Sequence, residues 1–223
     1  REIMTENVKI ELAKKYGENY VKALIFTSSA EGAFANRKAD KGGITYKGIS
    51  QVYNPKWAGW NIINRYLDKY PELKVPYEGK PPASIHKLNF ELNANEELEA
   101  LIYDFYYENY WKKCGADRIG GNSGIVLWDI AVISGVKRSG KTLQRLLNRI
   151  FNQKLLVDGI VGSVTLGIML EVMKKEGDAR VCAELLHEYL DNVLEAGKLE
   201  GNAPNIAGWI NRINNLRNYL RVA

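Results

Sequence analysis

The stretch SAEGAFANRKADKGGITYKGIS, residues 29–50, interrupts a chain whose apolar residues otherwise recur at helical spacing. Upstream of it, Val21, Leu24, Ile25 and Ser28 share one face of NYVKALIFTSSAEG, and Glu31 continues that face before Gly32 offers a stop. From 33 to 49 the period fails and small residues and glycines take over. Asp40, the pair Gly42 and Gly43, and then Thr45 read as a tight turn leading into short strands. The pattern predicts a helix, a small hairpin region near Asp40, and a return to helices, so the fold class is mainly α.

Working outward, WNIINRYLDKY resumes a helix that Pro71 ends, and the stretch with Pro71, Pro76, Pro81 and Pro82 reads as a connection. NANEELEALIYDFYYENYWKKCG is the longest helical candidate, with Asn95 as N-cap and Leu98, Leu101, Ile102 and Phe105 inward. Five further segments carry helical periodicity: GIVLWDIAVISG, SGKTLQRLLNRI, VTLGIMLEVMKK, ARVCAELLHEYLDNVL and IAGWINRINNLRNYL. No solenoid repeat or low-complexity tract is present.

The bulk properties bound the function. The chain has 223 residues, 46% of them apolar, enough for one large domain or two small ones. Its 31 Lys and Arg against 26 Asp and Glu give a net charge of +5, a mild bias that suits an anionic polymer, whether nucleic acid or the bacterial wall. Cys114 and Cys182 lack the spacing of a zinc site and are expected to be buried thiols. No apolar run reaches the roughly 20 residues of a membrane span. The N-terminus lacks a signal-peptide layout, so the expectation is a soluble chain whose export needs another route or a leader outside this sequence.

The residues of the opening stretch suggest a chemistry. A carboxylic acid that donates a proton near neutral pH needs an apolar setting or the negative end of a helix dipole. Glu31, at a helix end on the apolar side, is expected to have both. Asp40, in a glycine-rich loop, is expected to remain an anion beside it. An acid and an anion in contrasting environments are what glycosidic-bond cleavage requires. Thr45 adds a hydroxyl able to position water, and Gly42 and Gly43 let the backbone approach a substrate. A helix-ending Glu before a polar hairpin is also a common structural arrangement, and the pattern by itself leaves that reading open.

The run Glu31-Gly32-Ala33-Phe34, with Asp40, Gly42, Gly43, Thr45, Gly48 and Ile49, resembles the signature of the bacterial and phage N-acetylmuramidases of glycoside hydrolase family 108. The order Glu, Asp, Thr, with separations of nine and five positions, is also similar to the active-site hairpin of phage-type lysozymes. Ala33 replaces a glycine, Arg37-Lys38 replaces a usual Asp-Pro, and Tyr46-Lys47-Gly48 departs from the residues before Tyr-Gly; no proposed catalytic group is lost. TLQRLLNRIFNQKLLVDGIVGSVTLGIM resembles the family's C-terminal peptidoglycan-binding region, in which Asp158-Gly159 makes a turn, Gly162 permits close approach and Thr165 is expected to cap the next helix. The same motif also reads as a packing device that touches no ligand. GWINR, Gly208 to Arg212, resembles a late helix of the family.

The resemblance implies a lysozyme-like fold, with a catalytic region at 1–120 and a helical wall-binding region at 121–223 that is either separate or packed into the first. It implies hydrolysis of the β-1,4 bond between N-acetylmuramic acid and N-acetylglucosamine, with Glu31 as general acid, Asp40 as second carboxylate and Thr45 assisting. Gly42, Gly43, Tyr46, Asp129, Asp158 and Gly159 are the expected substrate contacts. Asp129, amid the apolar residues of LWDIAVISG, could line the cleft but reads more readily as a satisfied buried group. No cofactor or metal is implied. The expected partner is the peptidoglycan glycan strand, acted on at the cell wall by a monomer, without nucleic acid or a membrane span. The alternatives are a lytic transglycosylase, a wall-binding protein with a dead site, and a helical nucleic-acid binder, for which no basic recognition helix stands out.

His86, expected in the proline-rich loop, and His187, within a helix, lack metal-ligand spacing. Tyr103, Phe105, Tyr106, Tyr107, Tyr110 and Trp111 are expected to divide between the core and one or two sugar contacts. VKRSGK, with Lys137, Arg138 and Lys141, is expected to be a solvated loop able to attract an anionic polymer.

Overall fold

The computed structural model describes residues 4–28, 33–198 and 203–222. In chain order the helices are α1 (Glu6–Tyr16), α2 (Glu18–Ser28), α3 (Gly59–Leu67), α4 (Ser84–Asn93), α5 (Glu96–Tyr106), α6 (Ala116–Ile119), α7 (Gly121–Ser134), α8 (Val136–Ile150), α9 (Ser163–Glu176), α10 (Asp178–Gly197) and α11 (Ala203–Leu220). Strands β1 (Thr45–Tyr46) and β2 (Ile49–Ser50) form one antiparallel pair. The fold is mainly α with a small hairpin, as the periodicity predicts.

Packing divides the chain into two compact units, residues 29–106 and residues 1–28 with 107–223. In the second of these units α2 packs against α7, so the first residues of the chain pack with the later helices. That helical unit is organised around α7. Its sequence GIVLWDIA is apolar on every side, and every residue from Ser123 to Ala131 is buried. A helix without a polar face must be surrounded, and α2, α6, α8 and α10 pack against it. Its N-terminus is closed by Asp178, whose carboxylate accepts the N–H groups of Asn122 at 2.8 Å and Ser123 at 3.1 Å, a negative group where the helix has free donors and a positive dipole end.

Trp128 of α7 donates its indole N–H to the Thr27 hydroxyl at 3.0 Å. Around it Tyr20 and Trp111 meet edge to face at centroid distances of 5.3–5.8 Å, the geometry favoured by ring quadrupoles. Tyr107 packs on Tyr16 and Tyr20, so this end of the aromatic run is spent on the core. Cys114 and Cys182 are buried free thiols, as expected, and burial pushes the pKa of each up to about 12.

The smaller unit contains β1, β2 and α3–α5. The turn between the strands is Lys47-Gly48, both at positive φ (43° and 79°), as a two-residue hairpin loop requires. Tyr46 and Ile49 face each other across the register and are both buried. Asn95 caps α5 through its side-chain oxygen, which accepts the Leu98 N–H at 2.8 Å.

Four local expectations are corrected. The proline-rich stretch is not only a connection: Pro71–Lys74 forms a 3₁₀ turn and α4 comes directly after Pro82 and Ala83, placing His86 on a helix. Ile85, Leu88 and Leu92 are the buried stripe of α4, a helical period hidden by the neighbouring prolines. The long candidate from Asn93 ends as an α-helix at Tyr106 and continues as a π turn, Tyr107–Trp111, so α10 at 20 residues is the longer helix. VKRSGK is the start of α8, not a loop. Thr165 is not an N-cap; α9 begins after Gly162 without a side-chain cap.

Asp129 is the polar exception in α7. Its side chain is fully buried and forms a two-pronged pair with Arg212 of α11: Nη2 to Oδ1 at 2.7 Å, and Nε to Oδ1 at 3.0 Å and Oδ2 at 3.2 Å. Tyr189 of α10 reaches Oδ2 at 3.5 Å. Burial pushes the carboxyl up while Arg212 pulls it down. Arg212→Ala would leave that carboxylate buried without its cation and is expected to cost about 3–5 kcal/mol, read as a lower urea midpoint. Asp129→Leu combined with Arg212→Leu is expected to recover most of the loss. A single variant as stable as the parent would remove the pair from this supporting role.

Candidate active site

The expected acid, Glu31, lies outside the described residues. The segment after it is fixed at several points by the smaller unit. Phe34 donates its N–H to Asn89 of α4 at 2.8 Å. The side chain of Asn36, itself buried, donates to the carbonyls of Leu73 and Lys74 at 3.0 and 3.2 Å, satisfying chain ends of the 3₁₀ turn. Ala35 exchanges two backbone hydrogen bonds with Thr45, each 2.8 Å. Residues 34–36 are therefore clamped to β1 on one side and to α4 and the 3₁₀ turn on the other.

Asp40 stands exposed after this clamp. Its Oδ1 accepts the N–H of Gly42 at 2.8 Å, and its own carbonyl accepts from Gly43 at 3.2 Å. The carboxylate is thus oriented by its own loop. The Gly42 carbonyl accepts the Ser50 hydroxyl at 2.6 Å, which ties the loop to β2. A Cβ at Gly42 would sit 3.0 Å from Ser50 Oγ and 3.1 Å from Asp40 Oδ1. Gly43 has φ 63°, a conformation that costs a side-chain-bearing residue about 1 kcal/mol.

Thr45, half-buried on β1, donates its hydroxyl to the Gly43 carbonyl at 3.3 Å, leaving its oxygen lone pairs available to accept. Tyr46 is buried, and its hydroxyl donates to Asn93 of α4 at 3.1 Å; burial, and then Glu99, push the phenol well above its usual range. Tyr46 is a support under the hairpin. Tyr106 of α5 donates to the Lys47 carbonyl at 2.7 Å and steadies the hairpin turn. The structure therefore gathers Asp40, Gly42, Gly43, Thr45 and Tyr46 into one loop-and-hairpin unit.

Asp129, Asp158 and Gly159 belong to the helical unit. Asp129 is enclosed with Arg212. Asp158 Oδ1 accepts the Gln144 side-chain amide and the Ile160 N–H, both at 2.8 Å, and these bonds hold its carboxyl below the usual carboxylate range. Gly159 donates its N–H to Gln144 Oε1 at 2.8 Å, and Gln144 also reaches the Ile160 carbonyl at 3.1 Å. A Cβ on Gly140 would collide with the backbone of Gly159, and one on Gly159 with that of Lys137. The glutamine of the LQ motif and the VDG turn thus bind one another, which explains their co-occurrence in sequence by packing of the turn on α8.

Sequence reading missed Asn36, Asn89, Asn93 and Ser50. The pair Asn89 and Asn93, one turn apart on α4, is visible as two amides on one helix face, but only once the helix itself is recognised.

The glycosyl hydrolase 108 family model matches residues 24–135, just over half of the chain. The chain belongs to the glycosyl hydrolase 108 family. It is a glycoside hydrolase of the lysozyme-like, peptidoglycan-degrading kind, and the matched span runs from the second half of α2 through the hairpin to the end of α7. The structure is also similar to that of Brucella abortus SagA, at 23% sequence identity and a TM-score of 0.56, over 90% of this chain and 92% of that one; at that identity the likeness is one of fold. No curated protein sequence matches the chain.

In this family member Gly42→Ala should place a methyl against Asp40 and Ser50 and turn the carboxylate off the Gly42 amide. The expected outcome is a loss of wall lysis of about tenfold or more with the fold retained, checked by turbidity loss of cell-wall suspensions beside circular dichroism. Parental activity in the folded variant would detach the Asp40–Gly42 bond from catalysis.

Proposed function

We propose that the protein is an N-acetylmuramidase, a lysozyme that hydrolyses the β-1,4 bond between N-acetylmuramic acid and N-acetylglucosamine in peptidoglycan. The observation that carries this reading is the oriented, exposed carboxylate of Asp40, held by the Gly42 N–H in a loop tied to the β1–β2 hairpin that bears Thr45. Membership of a glycoside hydrolase family supports the reaction class.

Glu31 gives its proton to the bridging oxygen as the bond from that oxygen to the anomeric carbon breaks, so the leaving sugar departs as a neutral alcohol. Positive charge develops on the remaining ring. Asp40 either takes a proton from the attacking water or stabilises that charge directly, and Thr45 accepts a hydrogen bond from the water and so fixes its position. Water's oxygen ends on the anomeric carbon with one of its hydrogens as the new hydroxyl; the other restores Glu31, directly or, where Asp40 has taken it, by release from Asp40 through solvent, so that both carboxyl groups end as they began. Thr45 is suited to this because its own proton is engaged by the Gly43 carbonyl, leaving an acceptor toward the loop. Action at the cell wall follows from the substrate. Among the described residues no helix is long and apolar enough to cross a membrane.

The products decide the reaction. Digested wall should gain reducing N-acetylmuramic acid ends, with one water added per cut by mass spectrometry. Glu31→Gln should abolish this cleavage in a folded protein, and Asp40→Asn and Thr45→Ala should each lower kcat more than they raise KM. Chiefly 1,6-anhydro ends would convert the assignment to a lytic transglycosylase, reducing N-acetylglucosamine ends to a glucosaminidase, and uncut glycan to a wall-binding protein.

A further inference from the structure

A groove of about 930 Å³ opens in the helical unit between α7, α8, α10 and α11. Its α8 wall carries Lys137, Arg138, Lys141 and Arg145. Lys137, Lys141 and Arg145 succeed one another at intervals of four residues, which puts a cation about every 6 Å along about 12 Å of one helix face. The opposing side presents Trp209, half-buried, and Asn192. The floor is apolar, with Ile130 and Val193 buried and Ile133 40% exposed.

The charge of this groove is poorly balanced. Among the described residues its one acidic lining residue, Glu195, is already held by Lys198 at 2.6 Å. Lys137 acts on Asp158, and Arg145 donates to the neutral Asn192 at 3.3 Å. Among the described residues, Arg138 and Lys141 have no carboxylate within ion-pairing distance. Two of the four cations, Lys137 and Arg138, stand in the first turn of α8, where the helix dipole disfavours positive charge, so helix stability does not account for them. Concentrating like charge along an open groove raises the local concentration of an anion.

We infer that this groove is a second, non-catalytic binding site for the carboxylate-bearing part of the wall polymer: a stretch of sugar ring and attached acidic peptide, with the ring's apolar face on Trp209 and Ile133 and its carboxylates on Arg138, Lys141 and Arg145. The occupant follows from the combination of features. An aromatic and an apolar floor suit sugar rings, and a cation row suits carboxylates. A single-stranded nucleic acid would call for a series of open stacking rings; of the two rings that line the groove among the described residues, Tyr189 is buried and only Trp209 is partly open. This inference rests on the peptidoglycan reading above. It also gives a role to the VKRSGK segment that the hairpin chemistry leaves unexplained, and it assigns wall contact in this half of the chain to α8 and α11, not to Asp158 and Gly159.

The test measures binding alone, in a Glu31→Gln background, by pull-down on purified sacculi stripped of phosphate polymers. A second batch of the same sacculi has its carboxylates converted to amides. Arg138→Gln with Lys141→Gln is expected to bind native sacculi about fivefold more weakly than the parent. On amidated sacculi parent and variant are expected to bind alike, and raising the salt to about 0.5 M is expected to remove most of the difference on native ones. Lys141→Arg should retain binding. If the double variant loses its helical circular dichroism, Lys141→Gln alone is compared in the same way. Equal binding by parent and variant on native sacculi overturns the inference. So does an equal loss on both kinds of sacculi, and so does a loss confined to a single-stranded DNA offered in parallel, which would make the groove a nucleic-acid site. Because cleavage does not enter the pull-down, failure of the muramidase reading shows in the wild-type products and failure of the groove shows here.

Discussion

The buried pair of Asp129 and Arg212 is the constraint on which the helical unit turns. A carboxylate in the middle of a helix that has no solvent face costs several kcal/mol unless a cation meets it with good geometry. Arg212 does so with two nitrogens, and its guanidinium lies over the Phe26 ring, 5.2 Å from the centroid. The pair therefore fixes α11 against α7 and draws in α2 through Phe26 and α10 through Tyr189. Apolar contacts alone would let α11 slide, since they are not directional; a bidentate ion pair specifies one register. Trp209 lies one turn before Arg212 on α11, so the groove proposed to meet the wall owes one of its sides to this buried charge.

The smaller unit solves a different problem. A polar loop with an exposed carboxylate has little apolar surface of its own to hold it in place. The fold compensates with side-chain amides and hydroxyls that bond to backbone: Asn89 to Phe34, Asn36 to Leu73 and Lys74, Ser50 to Gly42 and Tyr106 to Lys47. Each is worth about 1 kcal/mol, but together they remove the freedom that would otherwise blur the position of Asp40 and Thr45. This is the support that a catalytic loop needs from its surroundings. Its cost is low tolerance at Gly42, where one added methyl would meet both Asp40 and Ser50.

The VDG turn shows how a motif can be clear in sequence and ambiguous in meaning. Its glycine, aspartate and spacing are all required by contact with Gln144 and by the close approach of Gly140 to Gly159. Those demands are met inside the protein. Of the cations a little way before the turn, Lys137 acts on Asp158 and Arg145 reaches Asn192, whereas among the described residues Arg138 and Lys141 have no carboxylate partner, and the row the four form is what directs attention to the groove instead.

The sequence by itself determined the mainly α class, the hairpin between Asp40 and Ser50, the N-cap at Asn95 and the burial of both cysteines. Each depends on short-range patterns: periodicity, a glycine where φ is positive, an amide three residues before a free N–H. It also placed Asp40, Gly42, Gly43 and Thr45 in one local unit, because they lie within six positions of each other. Tertiary structure alone decided which groups hold that unit. Asn89 and Asn93 act across 55 and 47 positions, and α4 itself was obscured by Pro81 and Pro82, whose local signal marks a break in the backbone but not the helix beyond it. Likewise Asp129 and Arg212 are 83 positions apart, and nothing in either neighbourhood names the other as its partner. Local sequence fixes backbone preference, whereas pairing across the chain depends on which helix faces meet, and that is settled only when the whole core packs.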